Sequence, residues 1–211
     1  MILVVGGIKG GSGKTTLATN LTVLRSATGK KVLLVDADEQ RSSSDWAEQR
    51  EGLGIQTKWS TIQLAGRSVY SQLQRMVGDY DDIIVDVGGR DTTSQRSALS
   101  IADKFLVPFK PRSLDIWTIG GVKNMISEIK AANPKLECFA VINQADSKGS
   151  DNDDAQSVLS ECPDLCCMNI SIGQRKAFSN AAADGLGVSE LKNSDKKALF
   201  EIMSLYENIY K

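Results

Sequence analysis

Three groups of residues in this 211-residue chain have the types and spacing to handle a phosphorylated ligand. The first is Lys9-Gly10-Gly11-Ser12-Gly13-Lys14-Thr15-Thr16. Gly10, Gly11 and Gly13 lack Cβ, so consecutive backbone N–H groups can close around phosphate oxygens. Lys14 is placed to reach the β- and γ-phosphates and the Thr15 hydroxyl to bind Mg²⁺, with Gly10 through Thr16 forming the cradle. The second is Asp86, which ends the apolar run Ile83-Ile84-Val85, the usual place for an acid that holds Mg²⁺, often through water. The third is the pair Asp36 and Asp38, which follow Val32-Leu33-Leu34-Val35. An NTPase needs a group to orient or activate the attacking water, and no other strand end offers an unassigned carboxylate so well placed. Asp38 takes that role, and Asp36 is assigned to the Mg²⁺ shell or to orienting a lysine.

A glycine loop carries meaning only between a strand and a helix. Ile2-Leu3-Val4-Val5 supplies the strand, and an amphipathic run with Leu17, Leu21 and Leu24 on one face supplies the helix, Lys14 to Thr28, stopped by Gly29. Further along, strands are expected from Lys31 to Val35, Ile55 to Ile62, Asp82 to Asp86, Lys104 to Phe109, Leu136 to Asn143 and Leu165 to Ile172. Helices are expected over Arg41 to Gly52 (capped by Ser42 or Ser43), Gly66 to Gly78, Ser94 to Ala102, Leu114 to Ala132 and Gln174 to Ala183. Asp146 to Asp154 reads as a surface loop leading into a short helix that ends at Ser160. A last helix carries Leu199, Ile202, Met203, Tyr206, Ile209 and Tyr210 on one stripe and docks against the core. Short apolar strands alternating with helices define an α/β fold, a doubly wound, mainly parallel sheet flanked by helices, in one domain spanning residues 1–211. Ligands of such sheets bind beyond the carboxyl ends of the strands, where all three groups lie.

The bulk numbers narrow the function classes. A formal net charge of -1 means that any nucleic-acid role must rest on a local patch. No stretch approaches the ~20 apolar residues of a membrane span, and Met1 to Val5 is too short for a signal peptide, so a cytoplasmic location is expected. Cys162-Pro163-Asp164-Leu165-Cys166-Cys167 lacks C-x₂-C spacing and the chain has no histidine; with Cys138, these read as buried thiols of a reduced protein rather than a zinc site.

The glycine loop, Asp36-Ala37-Asp38-Glu39-Gln40 and Ile83-Ile84-Val85-Asp86 resemble the deviant Walker A, A′ and B motifs of the ParA/MinD family of P-loop NTPases. Pro108-Phe109-Lys110-Pro111-Arg112-Ser113-Leu114-Asp115 is similar to the P-x-x-P-S-x-x-D segment of its plasmid-partition members. The resemblance runs nearly end to end and is nearest to the short ParA proteins, which lack an N-terminal helix-turn-helix domain; none is expected here, because the nucleotide loop starts at residue 6. It implies an ATPase using ATP and Mg²⁺, slow and partner-stimulated, that forms a homodimer with ATP, binds nonspecific DNA and is nucleoid-associated. The implied partner is a centromere-binding or cargo-adaptor protein and the implied cargo a plasmid, with a protein organelle as the alternative.

The resemblance also implies residue roles. Lys9 matches the family's signature lysine, which crosses the dimer interface to the partner's phosphates. Asn143 and Arg175 resemble positions near the adenine and the dimer seam. Arg175, Lys176, Lys192, Lys196 and Lys197 are the candidate DNA face, interspersed with Asp184, Glu190 and Asp195. Two departures stand out: Glu39 replaces the usual proline of the A′ motif, and Val87 follows Asp86 where Thr or Gly is common. Membrane binding is disfavoured by Glu201 and Glu207 on the last helix, a tyrosine kinase by the absence of a tyrosine cluster, and an iron–sulfur protein by the absence of cysteine between Asp86 and Cys138. An ATP-dependent ligase of the dethiobiotin-synthetase type is the alternative from a different class.

Overall fold

The computed structural model describes residues 1–111, 116–148, 150–193 and 195–211. Seven strands alternate with helices: β1 (Ile2–Val5), α1 (Lys14–Ala27), β2 (Val32–Ala37), α2 (Ser42–Gly52), β3 (Ser60–Gln63), α3 (Ser68–Met76), β4 (Asp82–Val87), α4 (Thr93–Leu99), β5 (Lys104–Phe109), α5 (Ile116–Ala132), β6 (Glu137–Ala145), α6 (Asp151–Ser160), β7 (Cys166–Gly173), α7 (Lys176–Ala183) and α8 (Lys196–Ile209), with a 3₁₀ turn at Val188–Glu190. All strand pairs are parallel, in the order β3-β2-β4-β1-β5-β6-β7. The strands are continuously apolar because both faces are covered. Period-two alternation sends Val4, Val35, Val85 and Phe105 into a core under α3, α4, α5 and α6, and Leu3, Leu34, Ile84 and Leu106 into a core under α1, α2, α7 and α8.

Strand order reverses at β1, which lies between β4 and β5. This switch point opens a crevice at the carboxyl ends, and the glycine loop leaves from β1 directly into it.

Several local expectations are corrected. β3 is confined to Ser60–Gln63; the segment before it instead closes the end of α2, with Ile55 N–H donating to the Arg50 carbonyl and the Gln56 carbonyl accepting from Arg50 Nη2. Neither Ser42 nor Ser43 caps α2: the N-cap is Arg41 in a left-handed conformation. The acidic stretch after β6 enters helix at Asp151, because Asp151, Asp153 and Asp154 occupy a first turn whose macrodipole favours acids. The buried line of α8 is Ala198, Ile202, Leu205 and Ile209, with Leu199, Met203, Tyr206 and Tyr210 partly buried beside it. Cys138 and Cys162 are buried, but Cys166 is exposed. Ser113, Leu114 and Asp115 lie outside the described residues. No helix among the described residues is long and apolar enough to cross a membrane.

Candidate nucleotide site

Gly11 (φ 72°) and Gly13 (φ 88°) hold left-handed conformations that let the loop turn out of β1 and into α1. Gly13 is doubly required, since a Cβ there would also collide with Asn143 Nδ2. Asn143 is buried beneath the loop, and its Nδ2 donates to the Ser12 carbonyl at 2.6 Å. The structure gives Asn143 a direct contact with the loop. Lys14 Nζ crosses the loop and donates to the Lys9 carbonyl at 3.1 Å. Burial lowers the Lys14 pKa, and the nearby Asp86 and Asp38 carboxylates oppose that shift.

Asp36 and Asp86 are register partners on adjacent strands, both buried, and they differ in what surrounds them. Asp36 Oδ1 accepts from Asp38 N–H at 3.1 Å and Oδ2 from Ser44 N–H at 2.8 Å, so its carboxylate shapes the turn and caps α2 from outside. Each Asp36 oxygen thus accepts from one backbone amide, a partner that neither Asp86 oxygen has. Asp86 has no hydrogen bond to either oxygen. Burial pushes its pKa up to about 7; the Thr15 and Ser43 hydroxyls and the Lys14 ammonium oppose the shift, and Asp36 adds to it. A buried carboxylate that accepts no hydrogen bond beside Thr15 is a costly arrangement that a cation relieves. The residues thus fit Mg²⁺, held by Thr15 and, directly or through water, by Asp86. Among the described residues no three His, Cys, Asp or Glu side chains could hold a metal by themselves.

Asp38 Oδ1 accepts from Gln40 N–H at 3.2 Å, a local turn contact. A Cβ on Gly88 would stand 3.0 Å from the same oxygen, and one on Gly89 would stand 2.6 Å from Gly10 Cα. Bare backbone at these two positions lets the loop after β4 lie directly against Asp38 and the glycine loop. Together they line a cleft of about 710 Å³ that Arg90 also borders. Lys9 is on an exposed turn and does not line the cleft of its own chain.

Two site residues carried no sequence signal. Gln95 of α4 is fully buried, and its Oε1 accepts from Gly7 N–H at 3.0 Å, fixing the entry to the loop. Gln144 Nε2 donates to the Gly11 carbonyl at 3.1 Å. Each is a glutamine that becomes meaningful through a partner 88 or 133 residues away.

Arg175 stands apart, lining a separate hollow of about 210 Å³ with Asp146, Gln174 and Glu201. Its guanidinium is bidentate to Glu201, through Nε at 2.9 Å and Nη2 at 2.5 Å. That pair neutralises the charge Arg175 was expected to offer DNA and ties the start of α7 to α8. Lys176, Lys192, Lys196 and Lys197 are exposed.

A glycine loop leaving the central strand, a strand-ending acid beside it and a cleft between them define a P-loop nucleotide-binding protein. The chain belongs to the CobQ/CobB/MinD/ParA nucleotide binding domain family, which it matches over residues 3–188. It is an ATPase of the ParA/MinD type, with ATP and Mg²⁺ as its cofactors. It is 26% identical over 211 residues to the maintenance of carboxysome distribution protein A of Halothiobacillus neapolitanus, covering 98% of this chain and 95% of that one. It is 31% identical over 142 residues to a Rhizobium radiobacter ParA protein, covering 67% and 63%. Among solved structures, the cell division ATPase MinD of Pyrococcus furiosus aligns with a TM-score of 0.77 at 18% identity, covering 99% of this chain and 97% of that one.

Proposed function

We propose that this protein is an ATP-switched positioning ATPase. Two copies close around ATP and Mg²⁺, the dimer holds DNA without sequence preference, and a partner adaptor protein stimulates hydrolysis and release. The observation that carries this reading is the end-to-end likeness to a carboxysome distribution protein. That likeness favours a protein compartment as the cargo; the plasmid expected from the sequence is the second reading, favoured by the ParA relative.

Lys9 supports the dimer. A cation on the exposed outer turn of the loop is suited to a neighbour's phosphates, where a trans cation of this kind is worth about 10³–10⁵ in rate. Asp38, on the opposite wall of the cleft, orients the attacking water. The lysines support the DNA face. Lys176 opens α7 while Lys196 and Lys197 open α8, positions where the helix macrodipole disfavours cations, so helix stability does not account for them. Of the interspersed acids, Glu190 is paired with Arg50, and Asp195 accepts from the Lys197 and Ala198 N–H groups as the α8 cap.

Sedimentation and DNA binding with and without ATP test the proposal. Wild type should dimerise and bind DNA in ATP, and Asp38→Ala should do both without turning ATP over. Lys197→Glu should dimerise normally but bind DNA more weakly and with a shallower salt dependence. Wild type that stays monomeric and ignores DNA in ATP overturns the reading, and a Lys9→Ala variant with normal dimerisation and turnover removes the trans role. Fluorescent tagging in the host decides the cargo, by whether compartments or plasmids lose their spacing when the protein is deleted.

A further inference from the structure

We infer that Gln144 is a positioning residue of the nucleotide site: a strained backbone swings its amide onto the phosphate loop, where it aims the Ser12 N–H at the phosphates. The inference rests on the phosphate loop alone and not on any reading of DNA or cargo.

Gln144 has a φ of 56°, and among the described residues the only other non-glycine with positive φ is Arg41, the N-cap of α2 behind Asp38. A glutamine in this region is disfavoured because its Cβ crowds the following carbonyl. The strain coincides with an irregularity in the sheet, as the β6–β7 register shifts between Asn143 and Ala145. In a regular strand Asn143 and Gln144 would point to opposite faces. Here both amides reach the same loop, with Asn143 Nδ2 on the Ser12 carbonyl and Gln144 Nε2 on the Gly11 carbonyl. The kink is what allows two neighbouring side chains to clamp two consecutive carbonyls.

The consequence follows from peptide geometry. In a trans peptide the C=O and the N–H of the next residue point in opposite directions. Holding the Gly11 carbonyl on Gln144 turns the Ser12 N–H away from Gln144, and holding the Ser12 carbonyl on Asn143 turns the Gly13 N–H away from Asn143. Those two groups belong to the cradle that a phosphate-binding loop presents. Asn143 is buried and also fills space under Gly13, so its loss would disturb packing. Gln144 is half-exposed at the cleft edge, and its contribution is orientation.

The full-length chain is compared with Gln144→Gly, which accepts the left-handed backbone without strain, and Gln144→Asn, which tolerates it but is one methylene too short. Three quantities are measured: affinity for a fluorescent ATP analogue, its displacement by inorganic tripolyphosphate, and the melting temperature without nucleotide. Losing one orienting hydrogen bond should weaken ATP and tripolyphosphate alike by up to about tenfold in both variants, with nucleotide-free melting within about 2 °C of wild type. Unchanged ATP affinity in either variant overturns the inference. So does a loss confined to ATP, which would make Gln144 a contact for the base, or a loss that tracks a lowered melting temperature, which would make it structural.

Discussion

Strand β4 begins with one buried aspartate, Asp82, and carries another, Asp86, one residue before its end, and the two live in opposite circumstances. At the amino end, Asp82 Oδ2 accepts from Arg25 Nε at 2.5 Å, and the chain's own amino terminus lies 3.7 Å from Oδ1. Arg25 is held in turn by the Tyr206 hydroxyl and lies 4.4 Å from the Tyr210 ring centroid. At the carboxyl end, Asp86 is equally buried but has no hydrogen bond to either oxygen. Three residues separate two identical side chains that the fold treats differently. One end of the sheet is closed by a hydrogen-bonded ion pair; at the other, the Thr15 and Ser43 hydroxyls and the Lys14 ammonium stand near a carboxylate that accepts no hydrogen bond.

The sharpest break of this comparison is expected at the open end. Lys14→Ala should abolish ATP binding and hydrolysis, a loss on the order of 10³ or more in turnover, read by equilibrium binding and phosphate release. Asp86→Asn should come next, lowering Mg²⁺-dependent hydrolysis by about 10²–10³ while raising the melting temperature of the nucleotide-free protein. Asp82→Asn is the control on the same strand: it should leave turnover near wild type and reduce stability by about 2 kcal/mol in urea melts, because Arg25 loses its partner. If Asp82→Asn impairs turnover as much as Asp86→Asn, the division between the two ends fails.

A pH series sharpens the same contrast. The Asp86 pKa is about 7 in the folded chain against an ordinary 3.8, so between those values the folded state holds a proton that the unfolded state has lost. The stability of the nucleotide-free protein from this group is therefore present at low pH and is lost as pH rises toward about 7. Mg²⁺·ATP binding, which needs the carboxylate, should weaken as pH falls below about 7. The difference between wild type and Asp86→Asn in melting and titration calorimetry isolates both trends, and parallel curves would remove Asp86 as their source.

The smallest effect is expected at the closed end. The Tyr210 hydroxyl is buried without a hydrogen bond. Tyr210→Phe should leave turnover unchanged and raise stability by about 1 kcal/mol or less, since one desolvated polar atom is removed and the ring stays over Arg25.

How far these assignments were legible varies with the reach of each interaction. Asp86 stands out as a candidate because an acid closing an apolar strand beside a glycine loop is a local pattern. Asp36 matches the same local pattern, yet nothing in Asp36-Ala37-Asp38 shows that its oxygens accept from the Asp38 and Ser44 amides. The partner of Arg175 is equally hidden from the sequence, since its charge is met by Glu201, 26 residues away on another helix.

The sequence by itself determined the alternation of strands and helices, the phosphate loop and the crevice side of the sheet. These follow from short-range physics: period-two burial, glycine where φ is positive, and a helix N-terminus after the loop. Tertiary structure alone decided which polar side chains serve the ligand and which serve the fold. That choice depends on what stands opposite each group once distant segments meet: Asn143 under Ser12, Gln95 against Gly7, Arg25 on Asp82, and no hydrogen-bond partner on Asp86. Burial makes a polar group costly, and only the assembled neighbourhood determines whether the chain or a ligand offsets that cost.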